Sequence, residues 1–128
     1  MESPAFGETP SVRRWVAVLV LVLAGCGVPQ ELSKQAEEVH SVAAEGALLA
    51  HEASEGSLDP FTREHARALR KLLGQLRPAI EDARLAETAD AVDAALTSLA
   101  DHPGDRANAS RLERRLDDAA KAAEERAG

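Results

Sequence analysis

The chain has 128 residues, of which 15 are basic and 22 acidic, so its formal net charge at neutral pH is −7. It contains one cysteine, one tryptophan, two phenylalanines and no tyrosine, whereas 26 residues are alanine. This length allows one small domain, and a single cysteine excludes an internal disulfide and a zinc site with two or four thiolates. The abundance of alanine favours helices and argues against a β architecture.

The N-terminal stretch has the layout of an export signal. Arg13 and Arg14 precede an uninterrupted apolar run over residues 15–24, which is too short for a bilayer core that needs about 20 residues. Small residues and the only thiol follow at the end of this run, in the sequence Leu23-Ala24-Gly25-Cys26. This sequence resembles the lipobox of bacterial lipoproteins.

The resemblance implies cleavage between Gly25 and Cys26 and attachment of diacylglycerol to the Cys26 sulfur. Residues 1–25 would then be a signal peptide, residues 26–30 the lipidated cysteine and its tether, and residues 31–128 the mature helical domain. The protein would be anchored at the extracytoplasmic face of the cell membrane or envelope. An uncleaved helical anchor or an incidental buried cysteine is the alternative, and the Arg13-Arg14 pair also partly resembles a twin-arginine signal.

A first helix is predicted from Glu31 to Glu55. Small and apolar residues recur at spacings of three and four and form one face, with glutamates on the other. Gly56 is expected to end this helix, Asp59 to cap the next one, and Pro60 to occupy its first position. The predicted inward face comprises Leu32, Ala36, Val39, Val42, Ala43, Gly46, Leu49, Ala50 and Ala53.

A second helix is predicted from Pro60, with an inward stripe that comprises Phe61, His65, Ala68, Leu69, Leu72 and Leu76. Pro78 is expected to break or sharply kink it, because proline removes a backbone donor.

Two more helices are predicted, one running to about Ala100 and the last from Arg106 to Arg126. The turn between them is expected over residues 101–105. Their inward residues are Leu85, Ala89, Val92, Leu96 and Leu99, then Leu112, Leu116, Ala119 and Ala123.

Short loops between amphipathic helices predict an all-α fold, an alanine-rich antiparallel bundle of three or four helices. Large aliphatic side chains are scarce after Cys26, so the tertiary packing is expected to be weak. The composition leaves open that part of the domain orders only on binding a partner.

The chemistry needed for catalysis is largely missing from the sequence. The one thiol is expected to be acylated, and no serine lies in a recognisable nucleophile motif. There is no glycine-rich phosphate loop and no haem-attachment motif. We therefore predict no enzyme activity, no catalytic residue and no cofactor. Net negative charge and export also argue against nucleic acid.

Glu37 and His40 are the best candidates for metal ligands. Their i, i+3 spacing places a carboxylate and an imidazole on one side of a helix, as in di-iron bundles, which need a second such pair. No second pair exists in the sequence. We therefore predict no metal site and keep Glu37 and His40 as weak candidates. A site that joins His40 to His65 of another helix is the alternative.

Charge alternates along the chain. Five bases and one acid occur between Pro60 and Pro78, whereas acids dominate on either side. On the second helix four cations are predicted to form an outward stripe opposite the apolar one. Three interpretations compete: a solvated face balanced by the acidic helices, a contact for anionic lipid headgroups, or a contact for an acidic protein. The stripe comprises Arg63, Arg67, Arg70 and Lys71.

The sequence thus predicts a membrane-anchored extracytoplasmic lipoprotein whose helices act as an interaction or scaffold module. Expected partners are the membrane, reached through Cys26, and an envelope protein or anionic headgroups. Self-association through the alanine faces is a further option. The alternative function is a carrier that binds a small ligand or a metal between its helices.

Overall fold

The computed structural model of the protein describes residues 30–128, and that stretch is almost entirely helical. The predicted signal peptide over residues 1–25, its cleavage site at Gly25 and Cys26, and the tether up to Pro29 lie outside the described residues.

Four α-helices form the described part of the chain. They are α1 (Gln30–Ser54), α2 (Asp59–Leu76), α3 (Ala83–Asp101) and α4 (Arg106–Ala127), with a 3₁₀ turn over Arg77–Ala79. Between residues 30 and 128 there is no β-strand. The predicted all-α class is confirmed, and the number of helices is four.

Neighbouring helices run antiparallel. The Ser33 hydroxyl near the start of α1 donates to the carbonyl of Ala127 at the end of α4, at 2.9 Å. Likewise the Arg70 guanidinium late in α2 donates to the Asp93 carboxylate in the middle of α3, at 3.1 Å. These contacts, together with the short loops, give an up-down-up-down bundle in which α1 begins beside the end of α4.

Gly56 ends α1 as predicted. Its φ of 97° lies in the left-handed region that glycine adopts without steric cost. The N–H of Ser57 donates to the carbonyl of Glu52, and the N–H of Gly56 donates to that of Ala53, both at 3.1 Å. This pair of bonds is the Schellman motif, which satisfies carbonyls that the helix would otherwise leave free.

The helix starts differ in how they are capped. Asp82 caps α3 by accepting from the N–H of Leu85 at 3.0 Å, and Asp105 caps α4 by accepting from that of Asn108 at 2.9 Å. Side-chain carboxylates at these positions satisfy donors that have no partner inside the helix.

The prediction that Asp59 caps α2 is wrong. Leu58 occupies the cap position without a side-chain cap, and Asp59 is already helical. The reason is that the carbonyl of Leu58 accepts from the N–H of Thr62 at 3.1 Å, which starts the helical ladder one residue earlier. At the other end α2 stops at Leu76, so the break predicted at Pro78 is confirmed.

The core is thin because alanine supplies much of it. The ten largest fully buried side chains include nothing larger than leucine, and α1 contributes mainly alanines and Gly46 to the packing. The inward faces predicted for α1, α3 and α4 are buried, apart from Leu32, which packs against the core from its edge. The ten are Leu49, Leu69, Leu73, Leu85, Leu96, Leu99, Leu116, Val39, Val92 and Thr62.

The inward stripe predicted for α2 is wrong in its orientation, although its member Leu69 is buried as predicted. Phe61 and Leu72 are 52% and 50% exposed, and Ala68 is also exposed. The helix is turned so that its buried face runs through Thr62, Ala66, Leu69 and Leu73 instead. Burial of Thr62 is tolerated because its Oγ1 shares a hydrogen bond of 2.9 Å with the Ser57 hydroxyl.

Two glycines inside helices should respond in opposite ways to substitution. A Cβ on Gly46 would lie 3.1 Å from Leu96 and 3.3 Å from Leu116, whereas a Cβ on Gly74 would contact nothing within 4 Å. Gly46→Leu overfills the core and should lower the free energy of unfolding by about 2 kcal/mol. Gly74→Ala should raise it by about 0.8 kcal/mol through helix propensity. Urea unfolding followed by circular dichroism measures both, and equal effects would contradict the packing described for α1.

Candidate functional site

The four cations predicted to form an outward stripe lie on one side of α2, but some of them are already paired with carboxylates. Arg70 is half-buried and binds Asp93 of α3, and Arg67 lies 3.7 Å from the exposed carboxylate of Glu64. No ion pair joins Arg63 or Lys71 to another side chain in the described chain. The acidic face of α3 therefore occupies one end of the stripe.

Two bidentate pairs at the α2–α3 end of the bundle were not predicted. Arg77 donates to both carboxylate oxygens of Asp90, at 2.8 and 3.3 Å. Arg126 of α4 donates to both oxygens of Asp82, at 2.6 and 3.1 Å, and this pair is the less exposed one. Asp82 thus caps α3 and ties its start to the last turn of α4. Asp82 and Arg126 are 44 residues apart, so no local pattern signals their contact.

The exposed side of α2 carries a continuous apolar line, which we call the α2 strip. Leu58 is 77% exposed, and Phe61 and Leu72 are about half exposed. The ring of His65 packs edge-on against Phe61 with 5.6 Å between centroids. The strip comprises Leu58, Phe61, His65, Ala68, Leu72 and Leu76, of which His65 and Leu76 are half-buried.

A line of glutamates, which we call the acidic row, runs along α1. Its members are seven residues apart, a spacing that keeps them on one face of a helix. Three of them are exposed and Glu38 is half-buried. Glu45 and Glu52 form no ion pair with any residue from 30 to 128. The row comprises Glu31, Glu38, Glu45 and Glu52.

Helix geometry places the α2 strip and the acidic row on the same outer side of the bundle. Arg70 and Arg77 reach α3 from one flank of α2, and the strip is turned roughly 150° away from them at 3.6 residues per turn. Ser33 and His40 reach α4 from one flank of α1, and the row is turned roughly 140° away from them. Both features therefore face outward over the seam between α1 and α2.

The register along this seam is fixed at two points. The loop joins Ser54 to Asp59, and the Gln35 amide donates to the carbonyl of Ala79 at 3.0 Å. Counting residues along both helices from these two points places Glu52 at the same height as Phe61, and Glu45 at the same height as Ala68. Each exposed apolar residue of α2 therefore has a carboxylate within about two turns on α1.

The weak metal candidates are not brought together with other ligands. The His40 Nδ1 donates to the carbonyl of Ala120 at 2.8 Å, which fixes the ring against α4, while Glu37 is exposed. His65 instead packs on Phe61 at the outer face of α2. Among residues 30–128 no three side chains of His, Cys, Asp or Glu converge on one point.

Two open grooves flank α4. The one between α3 and α4 has a volume of about 490 Å³, a floor of alanines with Leu112, and a rim that includes Glu87, Arg115 and Asp118. The other, of about 380 Å³, lies between α1 and α4 beside Leu48, which is 61% exposed. Neither groove brings a nucleophile next to a base.

Comparison with known proteins finds no match among protein-family models, curated proteins or solved structures. Between residues 30 and 128 no helix is long and apolar enough to cross a membrane.

The ion pairs predict a specific response to acid. Arg126 and the N–H of Leu85 hold the pKa of Asp82 below its ordinary value of 3.8, and Arg77 does the same for Asp90. A carboxyl with a lowered pKa stabilises the fold fully above its unfolded pKa and loses that contribution as pH falls through the folded one. This contribution to thermal stability should therefore be constant near neutrality and decline below about pH 4.

Asp82→Asn isolates this effect, because asparagine still caps a helix but cannot form the ion pair. Its melting temperature should fall less steeply than that of the wild type between about pH 4 and pH 2. Asp105→Asn changes a cap that has no arginine partner in the described chain and serves as the control. Equal acid slopes for wild type and Asp82→Asn would contradict the assignment.

Proposed function

We propose that the protein is a membrane-anchored extracytoplasmic lipoprotein whose helical domain acts as an interaction or scaffold module. The lipobox-like sequence around Cys26 supports the anchor. α1 begins at Gln30, and the four residues from Cys26 to that point can extend over at most about 14 Å. A lipid on Cys26 would therefore hold the domain close to the membrane surface.

The observation that carries the interaction role is the side of α2 that faces solvent. Full burial of a leucine or phenylalanine stabilises a fold by about 1.5–3 kcal/mol, yet α2 buries Thr62 and leaves Phe61 and Leu72 half exposed. In a domain this poor in large apolar residues, such an arrangement is typical of a surface kept for binding. A contiguous apolar line on a surface marks an interaction site more often than isolated exposed residues do.

The chemistry around the strip favours a protein partner over anionic lipid. The acidic row lies along one edge of the α2 strip and would repel phosphate headgroups. Of the cations on α2, Arg70 is engaged by Asp93 and Arg67 lies beside Glu64. The remaining positive charge on this helix is too small to hold a membrane alone, since each cation contributes about 1 kcal/mol.

Photo-cross-linking in native membranes tests the interaction role. A photoreactive residue in place of Ala68, at the centre of the α2 strip, should give discrete cross-linked bands. The same residue in place of Ala107, an exposed alanine at the start of α4, should give none. Absence of bands at Ala68, with the protein present in the membrane, would overturn the interaction role.

The anchor has its own test. Cys26→Ala removes the acceptor sulfur, so the protein should keep its signal peptide and lack the mass of a diacylglycerol. Intact-mass spectrometry and membrane fractionation measure this, with Ser33→Ala as a processed control. A wild-type protein with an unmodified Cys26 would contradict the anchor while leaving the interaction role to be judged by cross-linking.

The groove between α3 and α4 favours a second candidate, a carrier of a small apolar ligand. Its volume of about 490 Å³ falls within the range of ligand sites, and alanines line its floor. Thermal melting with a medium-chain fatty acid tests it, because a ligand at about 100 times its Kd adds roughly 2.7 kcal/mol. Ala94→Phe should abolish that stabilisation if the ligand occupies this groove.

A further inference from the structure

We infer that the α2 strip binds a second copy of this chain, with the two α2 helices running parallel. The inference rests on the proposed interaction function and names the partner. Three properties of the described residues carry it: the spacing of the strip, the charges along its two edges, and the end of the bundle at which α1 begins.

The spacing of the strip is that of a helix-pairing seam. Leu58, Phe61, His65, Ala68 and Leu72 follow one another at intervals of three, four, three and four residues. This alternation keeps one side of a helix against a partner helix over its whole length, as in a coiled coil. The small Ala68 lies at the middle of the strip and allows the two backbones to approach closely there.

The two edges of the strip carry opposite charges. The acidic row of α1 follows one edge, whereas Lys71 lies on the other edge, where Arg67 is paired with Glu64. When two copies pair about a two-fold axis parallel to α2, the acidic edge of each lies against the basic edge of the other. Glu45 of one copy is then within a turn of the level of Lys71 of the second copy, so each can contact the other.

In an antiparallel pair, the acidic edge of one copy does not face the basic edge of the other. A two-fold axis perpendicular to α2 would place the acidic row of one copy against that of the other, and like charges facing each other weaken association. The parallel pairing also places Gln30 of both copies at the same end. Both Cys26 tethers can then reach one membrane, which an antiparallel pair would not allow.

The dimer should be weak in solution. α2 has 18 residues, so the seam is about 27 Å long. One helix pair of that length falls at the small end of protein interfaces, below about 1,200 Å². Anchoring on a shared surface would raise the effective concentration of the two copies and favour pairing there.

Analytical ultracentrifugation of the full-length protein in detergent tests the self-association. The wild type should shift from monomer to dimer over a hundredfold range of about 10 µM to 1 mM. Leu72→Gln should raise the dimer Kd about tenfold, whereas Leu48→Gln, which changes an exposed leucine outside the strip, should leave it within about twofold. Thermal melts of both variants monitor the fold, since neither side chain belongs to the core.

Charge reversal tests the paired edges. Lys71→Glu and Glu45→Lys should each raise the Kd about fivefold, and the double variant should restore it to within about twofold of the wild type, because the pair reforms with exchanged signs. Lys121→Glu on α4 makes the same change of charge at an exposed site away from the strip. Failure of the double variant to recover would overturn the charge pairing.

Disulfide formation in membranes reports the direction of the helices. Leu58→Cys and Gln75→Cys lie near opposite ends of α2. In a parallel dimer each variant should cross-link to itself under mild oxidation, with the wild type as the control for Cys26. Cross-linking only when the two variants are mixed would overturn the parallel arrangement.

The outcomes separate this inference from the function on which it rests. A wild type that stays monomeric in detergent and gives no self-cross-link from Leu58→Cys in membranes overturns the dimer. If the photoreactive residue at Ala68 still captures a different protein, the interaction module remains and its partner is heterologous. If Ala68 captures nothing, both proposals fail.

Discussion

The bundle has few large apolar side chains with which to form a core, and the rest of its architecture follows from this scarcity. Seven leucines and two valines make up most of the large residues that are fully buried. The helices can pack on so few of them only because alanines and Gly46 let their backbones approach closely. Because the facing residues are small and the interior is close-packed, a cavity or an extra methylene group there lowers the stability of the fold.

Because large apolar residues are scarce, those that lie outside the core are significant. Phe61, Leu58 and Leu72 are as large as the residues that hold the bundle together, yet α2 holds them in solvent beside a line of carboxylates. The orientation of α2 is set by its contacts with the neighbouring elements. Thr62 is anchored by Ser57, and Arg70 and Arg77 are held by aspartates of α3. The orientation of α2 that stabilises the bundle is therefore also the orientation that exposes the α2 strip.

Much of the fold could be predicted because its signals are local. Gly56 and Pro78 mark helix ends through their own backbone geometry, and the inward faces of α1, α3 and α4 follow a single apolar stripe on each helix. On α2 the apolar residues cover two adjacent faces, and periodicity alone cannot decide which one faces the core. The observed orientation brings together residues up to 23 positions apart, such as Arg70 and Asp93, and local periodicity does not report such contacts.

The candidate site could be predicted only in part for the same reason. The cations of α2 were identifiable as a stripe, but their neutralisation by α3 depends on tertiary contacts. The acidic row is visible in the sequence as glutamates seven residues apart. Its importance depends on the neighbouring α2 strip, which the apolar periodicity predicts to face the core. The Arg126–Asp82 pair has no local signal at all.

The contact between Ser33 and Ala127 places the last turn of α4 next to the first turn of α1, and the Arg126–Asp82 pair ties the same turn to the start of α3. A fluorescent protein or affinity tag fused after Gly128 would consequently emerge at the end of the bundle where α1 begins, and would crowd a membrane surface if Cys26 is lipidated as we propose. The loop around Gly104 lies at the opposite end, about 37 Å away along the 25 residues of α1. An epitope inserted there would report on the domain without disturbing the proposed attachment at the other end.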